Sequence, residues 1–441
     1  MMTHRTVVSA MLVTALAVPA AIAGGFAVDE NSAADLGRAN AGRATQTTDA
    51  SAAFTNPALL TRFDGPMVSG TLSGNYIISK FRDEGSVNVL GIPLAGNDEN
   101  FLKDAVVPAL YVVYPISERL AAGVAVNAPF DAVVKYDGAW PGRYQAIESK
   151  LETFNLNPSL AYALSENLSI GAGISFQYAK GRFTNAIDFG VVCLEEAGPT
   201  VCVPAGLVPQ ASDGRLIATG DDWKIGWNIG AAWSPSDDWT FGIHYRSGIN
   251  HKLEGKAQFA VPATATLLTA GGAFVDTNGS TDLNLPASLD IGAAWTATDR
   301  VTLYGSAMWT NWSVNNNATF RFENPLQPAA TEVQKFKNAW RYAIGADYTV
   351  TDVWTVRAGF AIDKTPINSS FQTARVPDGD RQVYAIGASW AILPGWQADF
   401  SYNRVDIDKS NFSRVGTFGE SLNGEYSSNA DVLAIGLSKR F

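Results

Sequence analysis

The stretch VTLYGSAMW, Val301–Trp309, alternates between two kinds of side chain. Leu303 and Ala307 point to one face of an extended chain, whereas Thr302 and Ser306 point to the other. Two further segments repeat the pattern: WTVRAGFAID (Trp354–Asp363) and WQADFSYN (Trp396–Asn403). A period of two predicts β-strands that carry one apolar and one polar surface.

A soluble β-sandwich has the same alternation, but the connections between the segments favour a membrane barrel. Short turns are predicted at 115–120, 163–168, 234–239, 296–301, 349–354 and 393–396. Long loops are predicted between them, at 83–104, 138–147, 190–221, 258–280, 325–336, 366–380 and 412–424. Short turns at one end, long loops at the other and Trp or Tyr at the ends of the apolar face are typical of outer-membrane barrels. We therefore expect an all-β fold, a transmembrane antiparallel β-barrel of about 14 strands.

The N-terminus has the features of a secretory signal peptide, predicted here over residues 1–23. A basic residue, Arg5, precedes the apolar run 7–20, and small residues at 21–23 form a cleavage site. The formal net charge of −10 gives the chain no attraction for nucleic acid. An exported protein meets an oxidising compartment, so we expect Cys193 and Cys202, which share one loop-like stretch, to form a disulfide.

Residues 24–66 read as short Ala-rich helices before a first strand that is predicted to begin at Met67. In TNPALLTRFDG (Thr55–Gly65), Asn56 caps a helix, Pro57 suits its first turn and Ala58 continues it. About 14 strands enclose a lumen that inward side chains alone do not fill. The predicted organisation is a signal peptide (1–23), a plug or hatch (24–66) and a barrel (67–441), with a disordered periplasmic tail as the alternative for 24–66.

The N-terminal block GGFAVDENSAADLGRANAGRAT, followed by NPALLTRFD, resembles the hatch of the FadL/TodX family of outer-membrane transporters. Further matching blocks follow in family order: VNAPF (126–130), DDWKIGWNIGAAW (221–233), YRS (245–247), LNLPASL (283–289), FKNAWRYAIG (336–345) and PDGDR (377–381). The resemblance implies a passive transporter in the outer membrane of a Gram-negative bacterium, for long-chain fatty acids or other hydrophobic compounds. It also implies capture at the outer loops, transfer to a lumenal site and lateral exit at the third strand.

The resemblance places the lateral gate at Asn127, Pro129 and Phe130. Pro129 has no N–H to donate, so a strand that carries it in mid-run loses a ladder hydrogen bond and tends to bulge. Family members often have Gly after the Pro-Phe pair, where this chain has Asp131. A tolerated strand irregularity is the alternative interpretation.

A fatty acid requires a cation near its carboxylate. The basic positions of the family's deep site fall near Asn185 and Glu332, and neither residue is basic. The candidate head-group contacts are therefore basic residues close to these positions: Arg182, Lys337, Arg341 and Arg381. Ordinary lumenal ion pairs, for example of Arg381 with Asp378 or Asp380, are the alternative, and an uncharged aromatic or alkane cargo then remains open.

Nothing in the sequence predicts an enzyme, a cofactor or a metal site. His244 and His251 are an odd number of residues apart on or near one strand, so we expect them on opposite faces. The main rival is a general diffusion porin for small polar solutes, which would lack the N-terminal helical block. The terminal strand ending in Phe441 resembles the signal read by the barrel-assembly machinery, and the expected partners besides the cargo are outer-membrane lipid and lipopolysaccharide.

Overall fold

A computed structural model describes residues 24–94 and 96–441, so the predicted signal peptide, 1–23, lies outside the described residues. The strand segments are β1 (Met67–Asp83), β2 (Asp98–Glu99), β3 (Ala105–Pro115), β4 (Leu120–Asn127), β5 (Asp131–Lys135), β6 (Glu148–Ala163), β7 (Leu168–Asp188), β8 (Asp213–Ser236), β9 (Trp239–Arg246), β10 (Ile249–Ala260), β11 (Thr277–Leu285), β12 (Ser288–Thr298), β13 (Val301–Thr310), β14 (Asn317–Phe322), β15 (Ala330–Val333), β16 (Ala339–Thr351), β17 (Trp354–Asp363), β18 (Arg381–Leu393), β19 (Trp396–Val415) and β20 (Ser421–Arg440). The α-helices are α1 (Ala33–Leu36), α2 (Ala52–Thr55), α3 (Phe189–Ala197) and α4 (Pro199–Cys202), and 3₁₀ helices cover Arg43–Thr45, Pro57–Arg62, Ala263–Thr269, Trp312–Val314 and Ser369–Phe371.

These segments form a closed antiparallel barrel of 14 strands, which confirms the predicted fold class. The barrel closes where β1 pairs with β20, from Met67 opposite Arg440 to Asp83 opposite Gly424. Some barrel strands consist of two segments in sequence: β4 with β5, β9 with β10, β11 with β12, β13 with β14 and β15 with β16. Among the described residues, no helix has the length and apolar character needed to cross a membrane.

The alternation seen in the sequence sorts side chains between the two faces of the wall. On β8, Trp223, Ile225 and Trp227 are 57%, 68% and 52% exposed, whereas Asn228 and Ala232 are each 1% exposed. Large apolar side chains therefore cover the outside and polar or small ones the inside. This arrangement suits a wall with hydrocarbon around it.

The connections alternate between short turns and long loops, but some predicted loops are wrong in extent, and β15 (Ala330–Val333) lies within the predicted loop 325–336. The predicted loop 190–221 is shorter because β8 begins at Asp213, and the predicted loop 412–424 shrinks to the residues between Val415 and Ser421. These strands continue past the apolar band, where water accepts polar side chains on both faces. In the connection between β7 and β8, Cys193 and Cys202 form a disulfide between α3 and α4, with an S–S distance of 2.01 Å.

The segment 24–66, which we call the hatch, lies inside the barrel. Its residues Ala39, Ala41, Leu59 and Leu60 are completely buried. The hatch backbone lies flush against inward-facing glycines of the wall: a Cβ on Gly242 would be 2.0 Å from the Ala44 carbonyl oxygen, and a Cβ on Gly359 2.1 Å from the Arg38 carbonyl carbon. Any larger residue there would push the hatch from the wall.

The prediction that His244 and His251 face opposite sides is wrong. Both are buried on the inside, at 6% and 2% exposure. The strand is interrupted at Ser247–Gly248, between β9 and β10, and this interruption switches the face on which odd-numbered residues lie. Each histidine bonds a different amide side chain: Asn228 for His244 and Gln177 for His251.

Candidate functional site

The third barrel strand, β4 plus β5, contains a bulge at the predicted gate. Residues 128–130 face only residues 153–154 of β6, so the third strand holds one residue more than its neighbour over this interval. Pro129 is the middle residue of the bulge, with Asn127 at the end of β4 before it. An extra residue bends a strand and disrupts its ladder.

The bulge separates β5 from β3. Pairing between β3 and β4 ends at Leu110 and Val126, and β5 pairs with β6. Residues 105–109 of β3 therefore have no strand partner on this side in the described pairings. Pro108, within that stretch, has no N–H that would need one. The result is a break in the barrel wall between the second and third strands.

The start of the hatch occupies the inner side of this break. The Val28 N–H donates to the Pro129 carbonyl oxygen at 3.0 Å, and the Asp131 N–H donates to the Phe26 carbonyl oxygen at 3.1 Å. The Phe26 ring then packs edge-on against Trp312, 4.6 Å between ring centroids. The hatch thus provides hydrogen-bond partners for the Pro129 carbonyl and the Asp131 N–H at the interruption of the ladder.

A cavity of about 70 Å³, which we call the kink cavity, lies against the break. Its apolar lining includes Phe54, Pro129, Phe130 and Met308. Its charged and polar lining includes Asp29, Asn31, Arg43, His244, Arg246 and Asp290. The kink cavity therefore combines an apolar wall at the break with a polar wall formed by the hatch and the opposite strands.

A second cavity of about 50 Å³, the upper cavity, lies beside the loop between β17 and β18. Its lining includes Gly25, Leu102, Val134, Arg375, Asp378, Arg381, Ile407 and Tyr426. The first residue of the predicted mature chain is close by, because the Gly24 N–H donates to Asp363 Oδ2 at 2.9 Å and the Gly25 N–H to Asp378 Oδ2 at 3.1 Å. The start of the hatch thus lies between the two cavities.

Buried ion pairs hold the hatch to the wall: Arg38 with Asp347 at 2.8 Å, Arg43 with Asp290 at 2.5 Å, and Asp29 with Arg341. Arg38 also binds Asp35 within the hatch, at 2.5 Å. A buried pair is stable only while both partners remain, because a lone buried charge is costly. These pairs therefore fix the position of the hatch.

Two of the predicted head-group contacts are lumenal, but each already has a carboxylate. Arg341 binds Asp29 and donates to the Ala39 carbonyl oxygen at 3.0 Å, so it anchors the hatch. Arg381 is 2.6 Å from Asp378, one of the two alternatives that the sequence left open. Both guanidinium groups are neutralised where they lie.

The other two candidate contacts, Arg182 and Lys337, line neither of the two cavities described above. Arg182 lies on the outer face of β7, 3.0 Å from Glu148, because even-numbered residues of this strand, such as Ile174, point outward. Lys337 is exposed in the connection between β15 and β16. The role of these two residues as head-group contacts stays a prediction.

Arg375, which sequence reasoning missed, is a cation that lies beside Asn185 and Glu332, and it is paired with the Glu332 carboxylate. Its Nε lies 3.2 Å from Glu332 Oε2, and its Nη2 donates to Asn185 Oδ1 at 3.3 Å. The guanidinium also lies over the rings of Phe183 and Phe320, 5.8 and 5.9 Å from their centroids. It reaches this point from the loop before β18, so spacing along the chain gave no signal beyond its closeness to the PDGDR block.

Glu30 makes the stability of the hatch inside the barrel depend on pH. Burial, with the neighbouring Asp29 charge, raises the pKa of Glu30 from 4.5 to about 7. A raised pKa means that the folded state prefers the protonated acid. The contribution of Glu30 to the stability of the folded hatch is therefore complete below pH 4.5 and lost as the pH rises through 7. The corresponding free energy is about 3 kcal/mol. We expect the hatch to become more sensitive to protease between pH 5 and pH 8.

Limited proteolysis of the purified protein, followed by mass spectrometry of fragments from residues 24–66, measures this effect. Glu30→Gln, which is neutral throughout, should give the same cleavage rate at both pH values. A Glu30→Gln variant that keeps the wild-type pH dependence would assign the effect to another group.

The sequence is similar to that of outer-membrane proteins along nearly its whole length. A family model described as outer membrane protein transport protein (OMPP1/FadL/TodX) matches residues 14–441. Outer membrane protein P1 of Haemophilus influenzae is 28% identical, over 97% of this chain and 96% of its own. The long-chain fatty acid transport protein of Escherichia coli O6:H1 is 28% identical, over 88% of each chain.

A solved structure shares the architecture. The crystal structure of a Pseudomonas aeruginosa FadL homologue aligns with a TM-score of 0.86 at 27% identity, over 95% of this chain and all of that chain. The similarity therefore extends over hatch, barrel and most loops.

Proposed function

The chain belongs to the OMPP1/FadL/TodX family of outer membrane transport proteins, and from this premise we propose that it takes up long-chain fatty acids by lateral exit through the break at the third strand. Membership makes it an outer-membrane barrel of the kind that transports hydrophobic compounds. The fatty acid and the route are the parts that we propose.

The break beside the kink cavity is the observation that carries the proposal. Unpaired backbone facing lipid is costly, so a wall break is tolerated where it borders a cavity or a plug. An apolar cargo that leaves here enters hydrocarbon without crossing water, and each CH₂ transferred contributes about 0.8 kcal/mol. Partitioning of this size drives passive uptake of a long acyl chain.

The outer loops support capture of an apolar cargo. They expose large hydrophobic side chains: Leu90, Ile92, Val201, Val203, Leu267 and Val275 are each between 47% and 60% exposed. The three loops that carry these side chains leave the barrel at the same end, so apolar groups from several loops are available there to a hydrophobic cargo. Arg375 lines the upper cavity and its guanidinium lies 5.8 and 5.9 Å from the centroids of the Phe183 and Phe320 rings. It is paired with Glu332 at 3.2 Å, so a carboxylate cargo would compete with that pair.

Uptake assays in cells that lack their own family transporter test the proposal. We expect expression of this chain to restore uptake of radiolabelled oleate well above an empty-vector control, because the lumen offers both cations and an apolar exit. Radiolabelled toluene and a small polar sugar are measured in parallel.

The parallel substrates separate the alternatives. Toluene uptake without oleate uptake would replace the fatty acid by an aromatic cargo, and rapid uptake of the sugar would favour a diffusion porin. The filled lumen leads us to expect background uptake of the sugar.

A further inference from the structure

Arg246, at the end of β9, is a lumenal cation whose contacts are all uncharged. Its Nη2 donates to the Phe54 carbonyl oxygen at 2.8 Å and its Nη1 to Ser175 Oγ at 3.2 Å. The guanidinium carbon lies 3.9 Å from the centroid of the Phe54 ring. Among the described residues, no carboxylate lies within 4 Å of it.

The other arginines around the hatch differ in this respect. Arg43 binds Asp29 at 3.0 Å and Asp290 at 2.5 Å, and Arg341 binds Asp29 as well. The two carboxylates that line the kink cavity are therefore already shared between these two arginines. Arg246 lines the same cavity and keeps an uncompensated positive charge.

We propose that Arg246 binds the carboxylate of an amphiphilic cargo in the kink cavity, an inference that rests on the proposed function. A guanidinium has five N–H donors, and the contacts to Phe54 and Ser175 use two, so enough remain for a paired bond to a carboxylate. A buried anion requires such a partner, because without one its desolvation is costly.

The other wall of the kink cavity determines where the tail of this cargo goes. Pro129 and Phe130 form the lining on the side of the break, and Met308 adds an apolar surface. A carboxylate held on Arg246 would leave the alkyl chain against this wall, directed at the opening. An uncharged cargo forms no charge-assisted paired bond with Arg246, so the residue favours monocarboxylates over alkanes, alcohols and aromatics.

Uptake of two cargoes that differ only in the head group tests this inference. Initial rates for oleate and oleyl alcohol are measured in cells that carry the wild type or Arg246→Met. We expect oleate uptake to fall about tenfold in Arg246→Met, because a charge-assisted bond to the carboxylate is lost. Uptake of oleyl alcohol should stay unchanged. Arg246→Lys, which keeps the charge but not the paired geometry, should give an intermediate oleate rate.

Arg62→Met is the matched control, because Arg62 also bonds only uncharged groups, Ser234 and Thr240, but does not line the kink cavity. It should leave the ratio of oleate to oleyl alcohol uptake at the wild-type value. If Arg246→Met fails to assemble, as judged by the heat-induced mobility shift of folded barrels, Arg246→Gln is assayed in its place, since its amide can still donate to the Phe54 carbonyl.

The outcomes separate this inference from the proposed function. If Arg246→Met or Arg246→Gln assembles and keeps the wild-type ratio of oleate to oleyl alcohol uptake, the role of Arg246 is overturned and the proposed uptake of fatty acids is not affected. A wild type that takes up no oleate overturns the proposed function itself. Equal losses for both cargoes would show that Arg246 supports the fold of the cavity and does not bind the head group.

Discussion

Arg38→Met is expected to turn a nearly silent barrel into a steadily conducting one. Arg38 is completely buried and lies between Asp35 of the hatch and Asp347 of the wall. Methionine of similar length leaves Asp35 buried without its cation, a loss of about 3–5 kcal/mol, whereas Asp347 keeps Arg357 at 3.4 Å. Because the bond from Arg38 to Asp347 joins hatch to wall, the cost falls on the docked hatch. Planar-bilayer recordings of the purified protein measure the conductance.

Arg404→Met is the matched control for this experiment. Arg404 also contacts two carboxylates, Asp406 at 2.8 Å and Asp431 at 3.0 Å, but its side chain is 34% exposed, on the outside of the barrel. Water replaces such contacts at a cost of about 0–1 kcal/mol, so this variant should stay silent. Silence of both variants, with the hatch still resistant to protease, would show that Arg38 does not hold the plug.

Deleting Pro129 is expected to abolish oleate uptake while leaving the barrel folded. Without this residue, the third strand and β6 have equal numbers of residues over the interval, so β4 and β5 can form one straight strand. The inward positions Asn127 and Phe130 then keep their faces, and residues 105–109 of β3 gain a partner. The break would close, and uptake should fall to the level of empty-vector cells.

Pro129→Ala separates the effect of the bulge from that of proline chemistry. It restores an N–H but keeps the extra residue, so we expect the bulge, and most of the uptake, to persist. Binding of a fluorescent fatty acid to the purified deletion variant should also persist, because the upper cavity is unchanged. Wild-type uptake after deletion of Pro129 would contradict lateral exit at this position.

Much of the architecture could be predicted from local pattern. The alternation in Val301–Trp309 and its repeats indicates strands with a lipid-facing surface, and the order of short and long connections indicates an outer-membrane barrel. These signals are local because successive side chains on a strand point to opposite faces whatever the tertiary context. The outward position of Arg182 was also readable, since it shares the parity of Ile170 and Ile174.

The positions of charges within the lumen could not be predicted in this way. His251 turns inward because of the interruption at Ser247–Gly248, and a bulge in one strand is defined only by the strand beside it. Arg375 reaches Asn185 and Glu332 from a loop far along the chain. The inward face of His251 and the contacts of Arg375 thus have no local sequence signal, whereas Pro129 did indicate a bulge.

The sequence by itself thus determined the strands, the direction in which most of their side chains point, and the presence of a helical segment before them. The tertiary structure alone decided which cations are neutralised by carboxylates from distant segments, as Arg341 is by Asp29. It also decided that Arg246 keeps its charge, because closing the barrel around the hatch brings Phe54 and Ser175 to its guanidinium and no carboxylate. Charge compensation depends on distance in space, which alternation along a strand does not encode.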